Sequence, residues 1–377
     1  MTPKERAVRA ARNQEVDRIP AIGGWMNGVR NLANLAGIAV DEYFKNPAAA
    51  VVRANRNVGA DLMITNPIVP QTLEEMRTGA VEEHKFEGIE PEALLDFANG
   101  LPDTEKEALK NVDPKVQEKL FRDCFEDAFR TWDGLVPLPN FWDLGGHFPL
   151  YHQFGYIAFL SACALYPEAV SKIWWVRSLG SRERAKILAK LYKEYDLVPL
   201  LFCGEDLCNN QGPMVAPEFL REHYFPHVKM IIEPLVESGV RVIHHCDGDV
   251  RPLVQDFINC GFSGFQGFQY ECDVSPFELR KLRSLRGEEP ILFAGLSVSR
   301  TMPFGTKEEI HEEIEWLVDA TDGGRGMFLH MSNVTGVEVP PDNIREAYGY
   351  VKTIKPGSRG TPRPRPWPWI LKHPENA

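Results

Sequence analysis

A chain of 377 residues with a formal charge of −11, 44% hydrophobic and 25% charged side chains has material for a large core and too many charges for a bilayer. The acid excess argues against a nucleic-acid partner, because neutralising phosphates takes clustered Lys and Arg, and the basic cluster of note lies near the C-terminus. No run of about 18 apolar residues occurs, so no membrane span is expected and the reading places the chain in the cytoplasm.

The N-terminus, Thr2-Pro3-Lys4-Glu5, has the order of a helix start, with Thr as cap, Pro at the first helical position and Glu three residues after the cap. It lacks the continuous apolar region of a signal peptide. Eight short apolar runs suited to buried parallel strands then recur between helical stretches, at 18–25, 61–66, 134–142, 197–203, 240–246, 264–269, 290–295 and 326–332. The third is weakened by Pro137 and Pro139, each of which would remove a ladder donor. Between the second and third, residues 67–132 are rich in Glu, Asp and Lys, and are expected to form a helical insertion over the mouth of the fold.

Toward the C-terminus, Thr306 and Glu309 make a capping-box pattern, and Ile310, Ile314, Leu317 and Val318 give one buried helical face that Gly323-Gly324 ends. A last helix opens at Pro341 with Ile344, Ala347, Tyr348 and Val351 inward. The tail, 357–377, contains RGTPRPRPWPW and is expected to be disordered or to lie extended against a neighbouring subunit, which leaves a homo-oligomer open. Alternating strands and helices make the fold class α/β, read as a (β/α)8 TIM barrel spanning 1–356 with the insertion at 67–132.

Seven cysteines, at 124, 163, 203, 208, 246, 260 and 272, are an odd and scattered set that suits reduced thiols. No CxxC ribbon, GxSxG elbow, GxxxxGK[ST] loop or GxGxxG turn occurs, which disfavours a zinc finger, a serine hydrolase, a P-loop enzyme and a Rossmann oxidoreductase.

In a β/α barrel the functional groups come from the C-terminal ends of the strands, and here polar residues gather at those ends. The fourth run ends in CGED, the fifth in HHCDGD, the sixth in QGFQYECD, the seventh in GLSVSR and the eighth in HMSN. Because side chains alternate along a strand, His245 and Asp247 share one face and His244 and Cys246 the other. Either pair could give two metal ligands, with Glu205 from the neighbouring strand as a third. The plainer alternative packs one histidine between strands and helices and lets Asp247-Gly248 make a turn. Glu205 and Asp206 face opposite ways, so one of them reaches the pocket. Trp25 and Gln266 are candidates to line a substrate pocket, Trp25 together with Trp142 and Phe141 as an aromatic wall. His330 and Asn333 at the last strand are candidate catalytic groups, with strand-end solvation as the alternative.

These residues lie within a wider likeness. The opening TPKERAVRAARNQEVDRIP, the segment QGPMVAPEFLREHYFP, the strand VIHHCDGDVRPLVQDFINCGFSGFQ, the piece FAGLSVSRTMPFGTKEEI and the closing VEVPPDNIREAYGYV resemble the uroporphyrinogen decarboxylase superfamily, which includes corrinoid-dependent methyltransferases. The resemblance implies a β/α barrel. The decarboxylases' arginine-rich segment ending in Gly-Arg-Tyr is replaced by GGWMNGVRNLANLAG, which keeps Arg30, and Thr65-Asn66-Pro67 stands near their aspartate. Tetrapyrrole decarboxylation is therefore the rival reading rather than the first. The zinc methyltransferases use a His-x-Cys pair on the fifth strand and a later cysteine; aligned here, these become His245 and Asp247, with Asn333 at the later position.

The resemblance thus implies an oxygen-rich site in place of a thiolate one. It implies a methyltransferase that moves a methyl group from a small methylated substrate, such as an aryl methyl ether, to the corrinoid of a partner protein. Zinc or another divalent ion would be held by Glu205, His245 and Asp247, with Cys246 as a ligand in the other register, and Asp206 or His330 would supply a proton. The chain has no Asp-x-His-x-x-Gly cobalamin motif. A barrel that binds a ligand without catalysis is the third reading.

Overall fold

Why the apolar runs become strands is visible in what each buries. In the computed structural model, which describes residues 1–73, 83–267, 269–360 and 363–376, eight parallel strands form where the runs lie. They are β1 (Ile22–Gly23), β2 (Leu62–Ile64), β3 (Val136–Leu138), β4 (Leu200–Gly204), β5 (Arg241–His245), β6 (Gly264–Gln266), β7 (Ile291–Leu296) and β8 (Met327–Met331). Every residue of β4, β5, β7 and β8 is buried, as parallel strands covered on both faces require. Pro137 does sit within β3, opposite Met63. The strand is only three residues long, so it loses a ladder bond and survives. Phe268, inside the expected sixth run, and residues 74–82 of the expected insertion lie outside the described residues.

The pairings fall into two parallel sheets, β1-β2-β3 and β8-β7-β6-β5-β4. Single parallel bridges join them at both margins, Asn140 to Phe202 and Ala21 to Leu329. Alternation along the strands sorts the side chains into two clusters. Ile22, Leu62, Ile64, Leu138, Leu200, Phe202, Ile243, Ile291, Phe293 and Phe328 pack with one another across the strands. Their neighbours in sequence, such as Leu201, Cys203, Val242, Leu292 and Leu329, pack into a larger cluster with the helices. Burial of this much aliphatic and aromatic surface, at roughly 25 cal/mol per Å², is the main force holding strands to helices.

Local signals in the sequence act as expected at several helix ends. Thr2 and Thr306 each close a capping box with Glu5 and Glu309, starting helices Pro3–Ala11 and Lys307–Ala320. Helix Pro341–Val351 buries Ile344, Ala347, Tyr348 and Val351. Helices Glu92–Asn99, Glu105–Ala108 and Pro114–Thr131 fill the acidic interval between β2 and β3. The tail corrects the expectation for it: Pro368–Lys372 is a short helix, Trp367 and Trp369 are buried, and the segment packs on helix Lys307–Ala320 of its own chain. Proline-rich spacing prevents a sheet, yet two tryptophans offer more apolar area than solvent exposure of the segment would recover. All seven cysteines are free thiols, and among the described residues no helix is long and apolar enough to cross a membrane.

Candidate metal site

Register brings the polar strand ends together. Gly204 pairs with His245 and His245 with Gln266, so three adjacent strands present consecutive positions in one row. Two glycines make room for His245, Gly204 against its backbone and Gly267 against its ring. A Cβ at Gly204 would lie 2.3 Å from the His245 carbonyl oxygen, and one at Gly267, whose φ is +77°, would lie 2.3 Å from His245 Nδ1.

Within that space the His245 ring is fixed on both sides. Gln266 Nε2 donates to the carbonyl oxygens of Met331, at 2.7 Å, and Ser332, at 3.2 Å, which leaves its Oε1 to face His245 Nδ1 at 2.6 Å. An amide oxygen only accepts, so Nδ1 carries the proton and Nε2 is left with a lone pair. Aromatic rings enclose the imidazole: Trp25 and Trp142 meet it edge-on at 5.3 and 5.7 Å and stack on each other at 5.8 Å.

The Nε2 lone pair points between two carboxylates. Asp247 Oδ1 lies 3.6 Å away and Asp206 Oδ1 3.8 Å, and the three side chains offer ligand atoms all within 4.8 Å of one another. Both carboxylates are positioned by neighbours. The Asp247 backbone N–H donates to Asp206 Oδ1 at 3.0 Å, tying the two loops together, and Asn333 Nδ2 donates to Asp247 Oδ2. Burial pushes the Asp247 carboxyl up to about 6; the His245 ring and the Asn333 amide pull it down, while the charges of Asp206 and Glu271 push it further up. An imidazolium would close on a carboxylate to about 2.7–2.9 Å, and neither distance does so. Divalent zinc bonds of about 2.0–2.2 Å place ligand atoms roughly 3–4 Å apart, which these gaps match.

The remaining candidates take other places. Asp206, expected as an acid, supplies the second carboxylate of the group. Glu205 faces away, and its electrostatic neighbours are Asp206, Asp143, Tyr151 and Tyr224; burial holds its carboxyl well above the usual range. His244 lies 3.9 Å from the Phe257 ring and 4.7 Å from Phe262, with neither nitrogen hydrogen-bonded, and burial holds it neutral. Cys246 turns the same way; its sulfur accepts from Leu207 N–H at 3.4 Å. His330 is buried behind Trp25, its Nδ1 2.7 Å from the Met331 carbonyl oxygen, and burial lowers it to about 4. Gln266 contacts His245 rather than open space, and Asn333 holds Asp247.

Beside Asp247 opens a cleft of about 110 Å³ lined by Asp247, Gln269, Glu271, Ser299, Ser332 and Asn333, with no Lys or Arg among its lining residues. Sequence reasoning passed over Glu271 and Gln269, although both stand in the polar QGFQYECD run. A larger cleft of about 310 Å³ under the tail is lined mainly by aromatic and proline residues and holds no comparable group of ligands.

No protein-family model and no curated protein sequence matches the chain. Among solved structures it is similar to a methyltransferase from Methanosarcina mazei, at 13% identity over 93% of this chain and 98% of that one, with a TM-score of 0.59. At that identity the likeness is one of fold.

Proposed function

We propose that the chain is a methyltransferase in which Asp206, His245 and Asp247 hold a divalent metal ion beside the cleft where a small methylated donor binds. The observation that carries this reading is the bare Nε2 of His245, a fixed lone pair between two carboxylates. The fold supports it in a coarser way, through the Methanosarcina protein described as a methyltransferase. We read the two sheets and their marginal bridges as one (β/α)8 barrel, residues 1–356 as a single unit carrying the helices at 92–131 as an insertion, and the site as lying at the strands' C-terminal rim.

Oxygen and imidazole donors suit zinc, manganese or iron better than a thiolate-seeking ion. Bound there, such an ion would act as a Lewis acid toward the heteroatom that carries the methyl group. The protein's own groups set the geometry. Gln266 fixes the His245 tautomer, Asn333 turns Asp247 Oδ1 toward the imidazole, and Trp25 with Trp142 keeps water from the ring's flanks. A reduced corrinoid carried by a partner protein would supply the electron pair that takes up the methyl carbon, and the pair of the broken bond would remain on the heteroatom. Burial lowers His330 to about 4, which weighs against it as the proton source. Two carboxylates and no cation line the cleft, which favours neutral or cationic donors and weighs against both a carboxylated donor and a porphyrinogen acid. Arg30, kept from the decarboxylase segment, is exposed at the surface.

The test is to load the protein with zinc or cobalt, add reduced corrinoid and a panel of methylated phenols, amines and thiols, and follow the corrinoid spectrum. A spectral change with one donor class, lost in His245→Ala, is expected. Silence with every donor, or carbon dioxide release from a porphyrinogen acid by metal-free protein, contradicts the proposal.

A further inference from the structure

The proline-tryptophan tail has no part in the chemistry above, yet it is tied to the cleft through one buried carboxylate. Along helix Lys307–Ala320 the tail is held at several points. Trp316 Nε1 donates to the Arg365 carbonyl oxygen at 3.0 Å, Arg359 bonds Glu315 at 2.6 Å and Asp319 at 2.8 Å, and Lys372 pairs with Glu312 at 2.6 Å. On the same helix Glu313 is 1% exposed. Its Oε1 accepts the backbone N–H of Ser297 at 2.8 Å, and its Oε2 accepts both the Thr301 hydroxyl and, at 3.0 Å, Trp367 Nε1.

Ser297 and Thr301 bound the loop that follows β7, and that loop forms one edge of the cleft. Ser297 Oγ donates to Glu271 Oε1 at 2.9 Å, Ser299 Oγ donates to the same oxygen, and Val298 N–H donates to Ser332 Oγ at 3.2 Å. Glu271, Val298, Ser299 and Ser332 all line the cleft next to Asp247. A buried carboxylate without its donors is costly, so each donor constrains the carboxylate and, through it, the others. The hydrogen bonds therefore run without a break from the tail indole to the cleft wall.

We infer that Trp367 and Glu313 are positioning residues: the C-terminal segment docks on Glu313 and thereby sets the 297–301 loop and Glu271 at the edge of the donor cleft. This rests on the reading that the donor binds in that cleft. Burial also pushes Glu313 up to about 7, with the Thr301, Ser297 and Trp367 bonds pulling it down and Glu271 pushing it up, so the number of donors present bears directly on its charge.

The test uses the full chain with Trp367→Phe, which keeps the ring and removes only the N–H. Amide hydrogen exchange at 297–301 is expected to quicken by about tenfold or more while the β5 amides at 241–245 stay as protected as before. Glu313→Gln, which puts an amide N–H₂ where donors converge, is expected to loosen the same loop and the tail together. In the corrinoid assay with whichever of the methylated phenols, amines or thiols turns over, Trp367→Phe is expected to raise KM by about fivefold or more with kcat within about twofold. Exchange that changes only within 363–376, or that rises equally everywhere, overturns the inference. The exchange measurement needs no turnover, so it decides the coupling even where the assay shows that the proposed reaction is wrong.

Discussion

The two histidines that end β5 are neighbours in sequence and opposites in circumstance. His245 points into the row of strand ends, where a glutamine sets its tautomer, two carboxylates face its free nitrogen and two indoles wall it in. His244, one residue earlier, points among the helices, where Phe257 and Phe262 cover it and neither nitrogen finds a partner. The residue type is the same; alternation on the strand decides which one faces the carboxylates and which one is packed among aromatic rings. An imidazole in an apolar layer is tolerated when neutral, whereas a lone pair aimed between two anions calls for a cation.

The comparison breaks most visibly at His245. His245→Ala leaves two carboxylates without their nitrogen partner, and zinc affinity measured by competition with a chelator is expected to fall by more than about 100-fold, with methyl transfer lost. If affinity holds within threefold of the parent, by order-of-magnitude standards, the contrast between the two imidazoles collapses. One step removed, Gln266→Leu frees the ring to turn and to take the other tautomer. An affinity loss of about 10- to 100-fold is expected, with a nitrogen-15 shift of His245 reporting a mixed tautomer in metal-free protein.

Acid sharpens the contrast from the other side. Burial depresses His244 well below 6.5, so the folded state binds its proton less readily than the unfolded chain does. Its stabilising contribution is therefore whole above about pH 6.5 and is lost as pH falls below that, at about 1.4 kcal/mol per pH unit until the folded-state value is reached. His244→Leu removes this liability. From pH 7 to pH 5 the parent should lose stability relative to the variant in urea unfolding, and a gap that stays constant with pH would count against a buried neutral imidazole. The smallest effect is expected from the same variant at pH 7, where stability should stay within about 1 kcal/mol of the parent and zinc affinity should not move.

Much of this was legible before any coordinates. Buried parallel strands write themselves as apolar runs, and all eight runs overlap a strand; most strands are shorter than their runs because the flanking residues already turn into loops, while Leu200–Gly204 and Ile291–Leu296 each reach one residue beyond theirs. Parity on β5 puts His245 and Asp247 on one face, where they lie 3.6 Å apart, but does not by itself say whether that face or the one with His244 and Cys246 meets the other strand ends. The same parity on β4, counted from Phe202 inward through Gly204, reaches Asp206 and not Glu205; choosing Glu205 overlooked that the core position of Phe202 fixes the phase. Gln266 was visible as a polar strand end, but its role as a partner of His245 depends on register between strands, which a single sequence does not display. In the tail, proline spacing argues against regular structure and the tryptophans at 367 and 369 argue for burial; the buried Glu313 that accepts the Trp367 N–H becomes visible only in the fold.

X-ray absorption at the zinc edge puts the central claim to its most direct trial, because it identifies the atoms around the ion without reference to the reaction. Zinc-loaded protein should show one imidazole nitrogen and oxygen neighbours at about 2.0–2.2 Å. A sulfur shell at about 2.3 Å would mean that Cys246 turns inward and that the Asp206, His245 and Asp247 site is wrong.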